Sequence, residues 1–205
     1  MHALAPRAVL RFADLLLCDT LGHARYFQRH YRTPKERCAV VPVGFDDTLF
    51  FPSPEPEDSR FCVAFYGSYL PLHGIETIVG AAWRLQAENV RVLLVGSGQT
   101  FGVVRVALAR GLALEVVPRL DPASLVQRLR EAHVLLGIFG TTEKAARVVP
   151  NKVYQGLALG RALVTADTPA IREHFEPGQH LLTVPSGAPA ALAAALLELR
   201  ADPVL

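Results

Sequence analysis

Three cations, Lys144, Arg147 and Lys152, follow an apolar run that ends near Gly140. The last of them stands just inside a segment with helical periodicity that begins at Asn151, and the stretch contains a single acid, Glu143. A loop of about a dozen residues between a strand and its helix exceeds the usual two to six, and such loops often carry function. The pattern indicates a local anion site, with a solvated basic loop as the alternative.

Lys152 stands in the first turn of a predicted helix, where the helix dipole favours acids over bases. This placement costs a few tenths of a kcal/mol unless an anion binds there. Such an anion would be held by the side chain and by the free N–H groups of the helix start. We therefore predict that Lys152 contacts a bound anion and that the chain around Asn151 donates backbone N–H groups to it.

Two glycine-rich loops also follow predicted strands: "GSYLPLHG", from Gly67 to Gly74, and "GSGQTFG", from Gly96 to Gly102. Glycines let the backbone approach a ligand closely, and the helix after each loop offers N–H groups to a phosphate. Neither loop matches a GxGxxG or Walker pattern, so ordinary tight turns are the alternative for both.

The elements that position these loops alternate from Phe61 onward, as short β-branched runs separated by longer helical segments. This alternation predicts an α/β domain with an open parallel sheet, whose ligands bind beyond the carboxyl ends of the strands. The strands are predicted at 61–67, 90–96, 114–119, 133–140, 161–167 and 180–185, and the helices at 74–87, 101–111, 121–132, 151–160, 168–175 and 187–201.

Three regions are predicted along the chain. Residues 1–45 hold two strands and a helix, too few to close a core, and are interpreted as the trailing part of a preceding domain. Residues 46–60 are a linker, because "FFPSPEPEDSR" carries three prolines and four charges. Residues 61–205 form one α/β domain, and the abrupt end at "LRADPVL" suggests a chain cut from a larger protein.

Composition excludes several classes of partner. The 205 residues are 51% hydrophobic with a net charge of +2, and no basic run favours nucleic acid. Cys18, Cys38 and Cys62 are far apart, which favours free thiols in a reducing cytoplasm over a disulfide or a metal site. No signal peptide or membrane-spanning stretch is found, so a cytoplasmic protein is expected.

Together, "FYGSYLPLHGIETIVGAA", "VRVLLVGSGQ" and "LGIFGTTEKAARVVPNKVYQGLALGRALVTADTPAIRE" resemble the nucleotide-binding half of GT-B glycosyltransferases, in the group often called family 4 or group 1. The earlier "ADLLLCDTLGHARYFQRHY" and "VVPVGFDDTLFFP" resemble the end of the family's acceptor domain and its crossover linker. The likeness covers most of the chain. It implies a Rossmann-like, doubly wound parallel sheet, the GT-B C-terminal domain, with a small N-terminal segment of the preceding α/β domain.

The resemblance also implies an activity. A hexosyltransferase of this type takes a sugar from a UDP-, GDP- or ADP-sugar and passes it to an acceptor, here an unidentified glycan, lipid or small molecule. The family typically retains anomeric configuration and needs no metal or other cofactor, since basic groups and helix N-termini stabilise the departing diphosphate. Peripheral membrane association of the full-length protein is compatible with this function.

In the loop from Gly67 to Gly74 and in the helix that begins at Asn151, some residues match the family's pattern and others depart from it. Gly67 and Gly74 match the family's glycines, whereas the family has arginine at Ser68 and lysine at His73 to grip the diphosphate. Gln155 stands where a glutamate bonds to the ribose hydroxyls, and an amide can still accept one such hydrogen bond.

Arg147 stands where the family has another glutamate, which is a reversal of charge. We infer that Arg147 and Lys152 supply, from across the cleft, the charge missing from the first loop. Arg119 matches an arginine near the base or diphosphate, and Thr168 and Glu173 match a region that contacts sugar or phosphate, with a solvated helix residue as the alternative for Glu173. The predicted donor-binding set is Gly67, Ser68, His73, Gly74, Gly96, Arg119, Arg147, Asn151, Lys152 and Gln155.

The departures at Ser68, Arg147 and Gln155 also favour a second hypothesis, a binding or scaffold module that keeps the fold without catalysis. A third, a GT-B epimerase of UDP-sugars, is disfavoured because its histidine and glutamate positions are not found. Under each hypothesis the chain alone is expected to be inactive, because most of the acceptor domain is missing and a water-excluding cleft needs two walls. No catalytic residue is assigned from the sequence.

Overall fold

The computed structural model describes residues 9–10, 12–56 and 60–202, and its strands form two separate parallel sheets. The small sheet pairs β1 (Leu16–Cys18) with β2 (Cys38–Val40), and helix α1 (Leu21–Tyr31) lies between them in the chain. The six strands predicted after residue 60 all belong to the large sheet. The assignment of the first 45 residues to a preceding domain stays a prediction.

The large sheet contains the strands β3 (Cys62–Gly67), β4 (Arg91–Gly96), β5 (Glu115–Val117), β6 (Val134–Leu136), β7 (Ala162–Ala166) and β8 (Leu182–Val184). All pairs are parallel, in the order β5-β4-β3-β6-β7-β8. The prediction of a doubly wound α/β sheet is therefore confirmed. Chain order reverses between β3 and β6, and ligands bind at such a switch point in this class of sheet.

Helices cover both faces of the sheet, which explains why its strands are continuous apolar runs. Their bounds are α2 (Ile75–Leu85), α3 (Phe101–Ala109), α4 (Pro122–Arg130), α5 (Glu143–Ala146), α6 (Asn151–Ala158), α7 (Pro169–His174) and α8 (Pro189–Ala201). One buried cluster packs α2, α3 and α8 on one face, and two further clusters pack α4, α6 and α7 against the other side of the sheet. The core is thus divided by the sheet into two layers.

The predicted caps account for the helix starts near the switch point. Asp121 and Thr168 accept hydrogen bonds from the backbone of α4 and α7, and a proline follows each of them. Helix α5 was not predicted: it interrupts the long basic loop because the Thr142 hydroxyl caps its first turn, accepting from Ala145 N. The loop is therefore shorter and more rigid than its composition indicated.

Arg161 fastens the second half of the predicted linker to the large domain. Its guanidinium, 95% buried, donates to the Ser53 and Pro54 carbonyl oxygens at 3.1 and 2.6 Å and to Ser53 Oγ at 2.8 Å. It also donates to the carbonyl oxygen of Arg130 at 3.0 Å. Phe50 is buried in the cluster beside α4. Residues 50–54 are therefore attached to the large domain by packing and hydrogen bonds, although their composition is that of a linker.

Substituting Arg161 by alanine removes these four hydrogen bonds at partly buried groups, so we expect the free energy of unfolding to fall by roughly 2–4 kcal/mol. Urea denaturation measures this change. The matched control is Arg172→Ala, because Arg172 is 60% exposed and pairs only with Asp167 at the surface. The control should lose no more than about 1 kcal/mol, and equal losses in the two variants would contradict the role of Arg161.

Candidate functional site

A cleft of about 710 Å³ opens at the carboxyl ends of β3, β4 and β5. The loops after these strands form its walls, Phe50 closes one side from the linker, and Gln155 reaches it from α6. The described residues that line it are Phe50, Tyr66, Gly67, Ser68, Leu70, Val95, Gly96, Ser97, Gly98, Gln99, Arg119, Leu120, Pro122, Leu125 and Gln155. The cleft lies where the topology places ligand sites in open α/β sheets.

The floor of the cleft is built by backbone packed directly on backbone. A Cβ atom at Gly98 would lie 1.7 Å from the Ser68 carbonyl oxygen, and one at Gly96 would lie 2.2 Å from that of Gly67. Gly96 also has φ +112°, a conformation that side chains rarely adopt. Gly96 and Gly98 are therefore required by the close approach of the two loops, whose glycines the sequence left open between a ligand site and ordinary turns.

Lys152 and His73 are not among the described residues that line the cleft, but both lie directly behind Gly67, which does line it. A Cβ atom at Gly67 would lie 3.0 Å from His73 Cε1 and 3.2 Å from Lys152 Nζ. The two basic groups thus pack tightly against Gly67, and a side chain at this position would crowd both of them. The structure brings Lys152 and His73 together, although 78 positions separate them from one another in the chain.

Lys152 lies almost wholly inside the protein with its charge uncompensated. The side chain is 94% buried, and its Nζ lies 4.3 Å from the ring centre of Phe65 and 5.7 Å from that of Tyr66. None of the hydrogen bonds or ion pairs among residues 9–10, 12–56 and 60–202 involves Nζ. Burial lowers the pKa of Lys152 to about 7, because desolvation disfavours the ammonium form.

His73 is held as a neutral imidazole. Its Nδ1 accepts a hydrogen bond from Leu70 N at 3.3 Å, which assigns the proton of the neutral ring to Nε2. Burial, and secondarily the charge of Lys152, lowers the pKa of His73 to about 3. The ring can therefore donate one hydrogen bond through Nε2 but brings no positive charge at neutral pH.

Gln155 lines the cleft with its side chain held in place. Tyr66 donates its hydroxyl to Gln155 Oε1 at 2.5 Å, and burial raises the pKa of Tyr66. One amide oxygen lone pair is thus occupied, whereas the NH₂ group has no partner among the hydrogen bonds of the described chain. The amide can still donate to a ligand in the cleft.

Ser68, Gly96 and Arg119 also line the cleft, as the sequence predicted. Arg119 is exposed and is the only charged side chain among the described lining residues. Asn151 begins α6, a helix without a side-chain cap, so its first N–H groups have no side-chain acceptor. Gly74 lies behind the cleft rather than in it: a Cβ atom there would be 2.5 Å from Gly140 N, where the loop after β3 crosses the loop after β6.

Arg147 does not line this cleft. Its guanidinium carbon lies 3.9 Å from the ring centre of Tyr26 on α1, and its Nη1 lies 3.8 Å from Glu143 Oε2. The Arg147 carbonyl oxygen accepts a hydrogen bond from Thr20 Oγ1 at 2.6 Å. Arg147 therefore contacts the N-terminal segment, and its role in donor binding beside Lys152 stays a prediction.

Thr168 and Glu173 have structural partners. Thr168 is buried and caps α7 by accepting from Ile171 N at 3.2 Å. Glu173 Oε1 accepts a hydrogen bond from Leu21 N at 2.6 Å, which satisfies a free N–H group at the start of α1. Both side chains therefore contribute to local structure, and contacts of either with sugar or phosphate remain predictions.

Sequence reasoning did not identify Phe50, Tyr66 or Leu120 as parts of the site. Tyr66 ends a buried strand, and a tyrosine in such a place needs a partner for its hydroxyl, which could have pointed to Gln155. Phe50 and Leu120 carried no comparable signal, because apolar residues after a turn are common in any core. Their position in the cleft follows only from the packing of the linker and of the loop after β5.

Neither a metal site nor a membrane-spanning helix is found in the described parts of the chain. Three or more histidine, cysteine, aspartate or glutamate side chains do not come together there in a metal-binding arrangement. The three cysteines are free thiols, and Cys18 and Cys62 are buried. Among the described helices, none has the length and apolar character that crossing a membrane requires.

The profile of the family described as "Glycosyl transferases group 1" matches residues 60–202, the part of the chain that contains the six-stranded sheet and the cleft. The chain belongs to this family. A D-inositol 3-phosphate glycosyltransferase from Thermobispora bispora is 27% identical over 229 aligned positions, which cover 99% of this chain and 51% of that protein. The chain therefore spans about half the length of this glycosyltransferase relative.

Solved structures show the same GT-B fold. Anabaena HepE in complex with UDP and glucose superposes with a TM-score of 0.82 at 16% identity, over 99% of this chain and 59% of that one. The sucrose-phosphate synthase from Thermosynechococcus elongatus superposes with a TM-score of 0.78 at 21% identity, over 98% and 52% of the two chains. The group 1 chain thus has the architecture that its sequence resemblance implied.

The backbone contact in the cleft floor leads to a first prediction for the site. Gly98→Ala should force the loop after β4 away from Ser68 and lower the free energy of unfolding by roughly 1–3 kcal/mol. Gly102→Ala is the matched control, because nothing lies within 4 Å of a Cβ atom there and the residue is inside α3. The control should gain about 0.5–1 kcal/mol. Chemical denaturation of both variants measures the difference, and a neutral Gly98→Ala would contradict the packing.

The buried amine of Lys152 leads to a second prediction for the site. The folded protein binds the Lys152 proton less tightly than the unfolded chain, so its stability should rise as pH increases from about 7 toward 10. Lys152→Met removes this penalty and, without ligand, should raise the free energy of unfolding at pH 7 by on the order of 2 kcal/mol. The gain should shrink as the pH approaches 10. Denaturation at several pH values tests this, with exposed Lys144→Met as the control, and a destabilised Lys152→Met would be the contrary result.

Proposed function

We propose that this chain is the donor-binding half of a glycosyltransferase that takes a sugar from a nucleotide-diphosphate sugar. The observation that carries the proposal is the cleft at the carboxyl ends of β3, β4 and β5, which is bordered by two glycine loops and has an uncompensated buried cation directly behind Gly67. A buried charge without a partner is costly, and proteins keep such a charge mainly where a ligand compensates it. Its position beside a helix start suits a phosphate group.

The parts of the cleft suit the parts of such a donor. We assign Lys152, His73 and the first N–H groups of α6 to the diphosphate, which needs hydrogen-bond donors and positive charge. We assign Gln155 to a ribose hydroxyl, to which its free NH₂ group can donate. The apolar side chains of Phe50 and Leu120 and the cation of Arg119 surround the remaining space, which we assign to the base. UDP bound to HepE supports a nucleotide sugar here as well, with UDP-, GDP- and ADP-sugars as the candidate donors.

The chemistry follows from the charges. When the sugar leaves, negative charge develops on the diphosphate, and fixed positive groups aimed at that position lower the barrier. Lys152 and the helix N–H groups supply this stabilisation, so the proposed reaction proceeds without a metal. Retention of anomeric configuration and a cytoplasmic location are proposed on the family resemblance alone. The acceptor would bind on a facing wall, and we propose that this chain alone does not catalyse transfer.

The test begins with a thermal shift screen of UDP-, GDP- and ADP-glucose, because a bound ligand raises the melting temperature by mass action. Titration calorimetry with the best of the three then compares two variants. Lys152→Ala should weaken binding by roughly 1–3 kcal/mol, or about 5- to 150-fold. Lys144→Ala should bind like the parent chain, since Lys144 is exposed and outside the cleft. An unchanged dissociation constant for Lys152→Ala would reject its phosphate contact, and absence of binding by all three nucleotide sugars would reject the function.

The placement of Arg147 supports a second candidate, a binding or scaffold module without catalysis. Arg147 contacts Tyr26 instead of the cleft, and Ser68 brings no charge to the first loop. A donor-hydrolysis assay of the full-length protein separates the candidates. Tight nucleotide-sugar binding without turnover would favour the module, whereas turnover would favour the transferase.

A further inference from the structure

We infer that binding of the donor diphosphate beside Gly67 places a proton on Lys152 Nζ, so that the protein takes up one proton with each nucleotide sugar. The inference rests on the proposed function and concerns how the same site obtains its charge. It makes donor affinity depend on pH near neutrality, which a site built on guanidinium groups would not do.

The surroundings of Lys152 favour a neutral amine when the site is empty. Nζ lies against the rings of Phe65 and Tyr66 and beside His73, which is neutral. Tyr66 is protonated, and its hydroxyl is directed to Gln155. No aspartate or glutamate in the described part of the chain forms an ion pair with Lys152, and burial alone accounts for its lowered pKa of about 7. Desolvation and the lack of an acid thus disfavour the ammonium form and outweigh the cation–π attraction of the two rings.

A diphosphate changes this balance. Gly67 lines the cleft and carries no side chain that would stand between the cleft and Nζ directly behind it. A phosphate oxygen bound at Gly67 therefore supplies the negative charge that Lys152 lacks among the described residues. A charge-assisted hydrogen bond in a site of low dielectric is strong, so the ammonium form becomes favoured once the anion is bound. The proton comes from a buffer acid in solution: a new N–H bond forms on Nζ, the buffer is left as its conjugate base, and no electrons are transferred.

His73 is not the acceptor of this proton. Its Nδ1 already accepts the hydrogen bond of Leu70 N. A protonated ring would present two N–H donors, so one of them would face the Leu70 N–H group and that bond would be lost. Two cations would also lie side by side next to Gly67. His73 therefore donates to the diphosphate through Nε2 in its neutral form, and Lys152 carries the charge.

The experiment is titration calorimetry with whichever of UDP-, GDP- and ADP-glucose gives the largest thermal shift. These donors suit it because their diphosphate is esterified at both ends and does not titrate near neutral pH. Binding enthalpies are measured in buffers of low and high ionisation enthalpy, and their difference gives the number of protons taken up. We expect about 0.9 proton at pH 8, about a quarter of a proton at pH 6.5, and a dissociation constant that rises on the order of tenfold from pH 7 to 8.5.

Two variants identify the group that takes up the proton. Lys152→Met should bind more weakly and with no proton uptake at pH 8, and because this change removes a destabilising charge, misfolding would not explain the loss. His73→Asn replaces the imidazole by a shorter side-chain amide and should weaken binding while uptake stays near one proton. Lys144→Met should retain both affinity and uptake.

The possible failures are distinguishable. Binding with equal enthalpies in both buffers at pH 8, or uptake that persists in Lys152→Met, overturns the inference and leaves the proposed function intact. Absence of binding by each of the three nucleotide sugars overturns the proposed function and the inference with it.

Discussion

The contact on which the site depends is the packing of backbone against backbone where the sheet order reverses. The loop after β3 lies against the loop after β4, with the Ser68 carbonyl oxygen where a Cβ atom of Gly98 would be. The same loop crosses the loop after β6, where Phe139 N donates to the His73 carbonyl oxygen at 3.0 Å. These contacts exclude side chains and so leave a cleft whose walls present backbone groups to a ligand.

The positions of Lys152 and His73 depend on this arrangement, because each side chain is fixed by the elements that pack against it. Lys152 reaches the edge of the cleft from α6 past Phe65, and His73 is fixed by the short turn that precedes α2. A cation on a flexible surface loop would be solvated and would contribute little to binding. Burial instead weakens the competition from water, so the proposed ligand phosphate meets a hydrogen-bond donor, Lys152 Nζ, that has no other partner among the described residues. The same burial lowers the free energy of unfolding of the protein without ligand.

The N-terminal segment is attached to the large domain by polar contacts at the start of α1. Thr20 caps this helix and donates to the Arg147 carbonyl oxygen, and Glu173 accepts from Leu21 N. Arg147 stacks on Tyr26 of the same helix. Arg147 and Glu173, two of the positions that the family resemblance assigned to contacts with the donor, thus lie where the segment and the domain meet.

Much of the fold follows from local patterns in the sequence. Continuous β-branched runs separated by amphipathic segments indicate buried parallel strands with helices on both faces, and the caps at Asp121 and Thr168 mark helix starts. Local patterns also singled out Lys152, because a cation at a helix start conflicts with the dipole. Helix α5 was missed since its four residues are too short for a periodic signal, and residues 50–54 have a linker's composition although Arg161 binds them to the domain.

What only the tertiary structure decided is which distant groups meet. Lys152 and His73 share the space beside Gly67 because β3 and β6 are neighbours at the switch point, a pairing that the order of the strands along the chain does not reveal. Arg147 and Lys152 are five positions apart and looked equivalent in the sequence. Residues 148–150 between them form neither helix nor strand, and on either side of this segment Arg147 contacts Tyr26 whereas Lys152 packs behind Gly67. The sequence by itself determined that a cation would stand at this helix start, whereas its burial, and with it its proton affinity, depends on the aromatic rings that the fold packs around it.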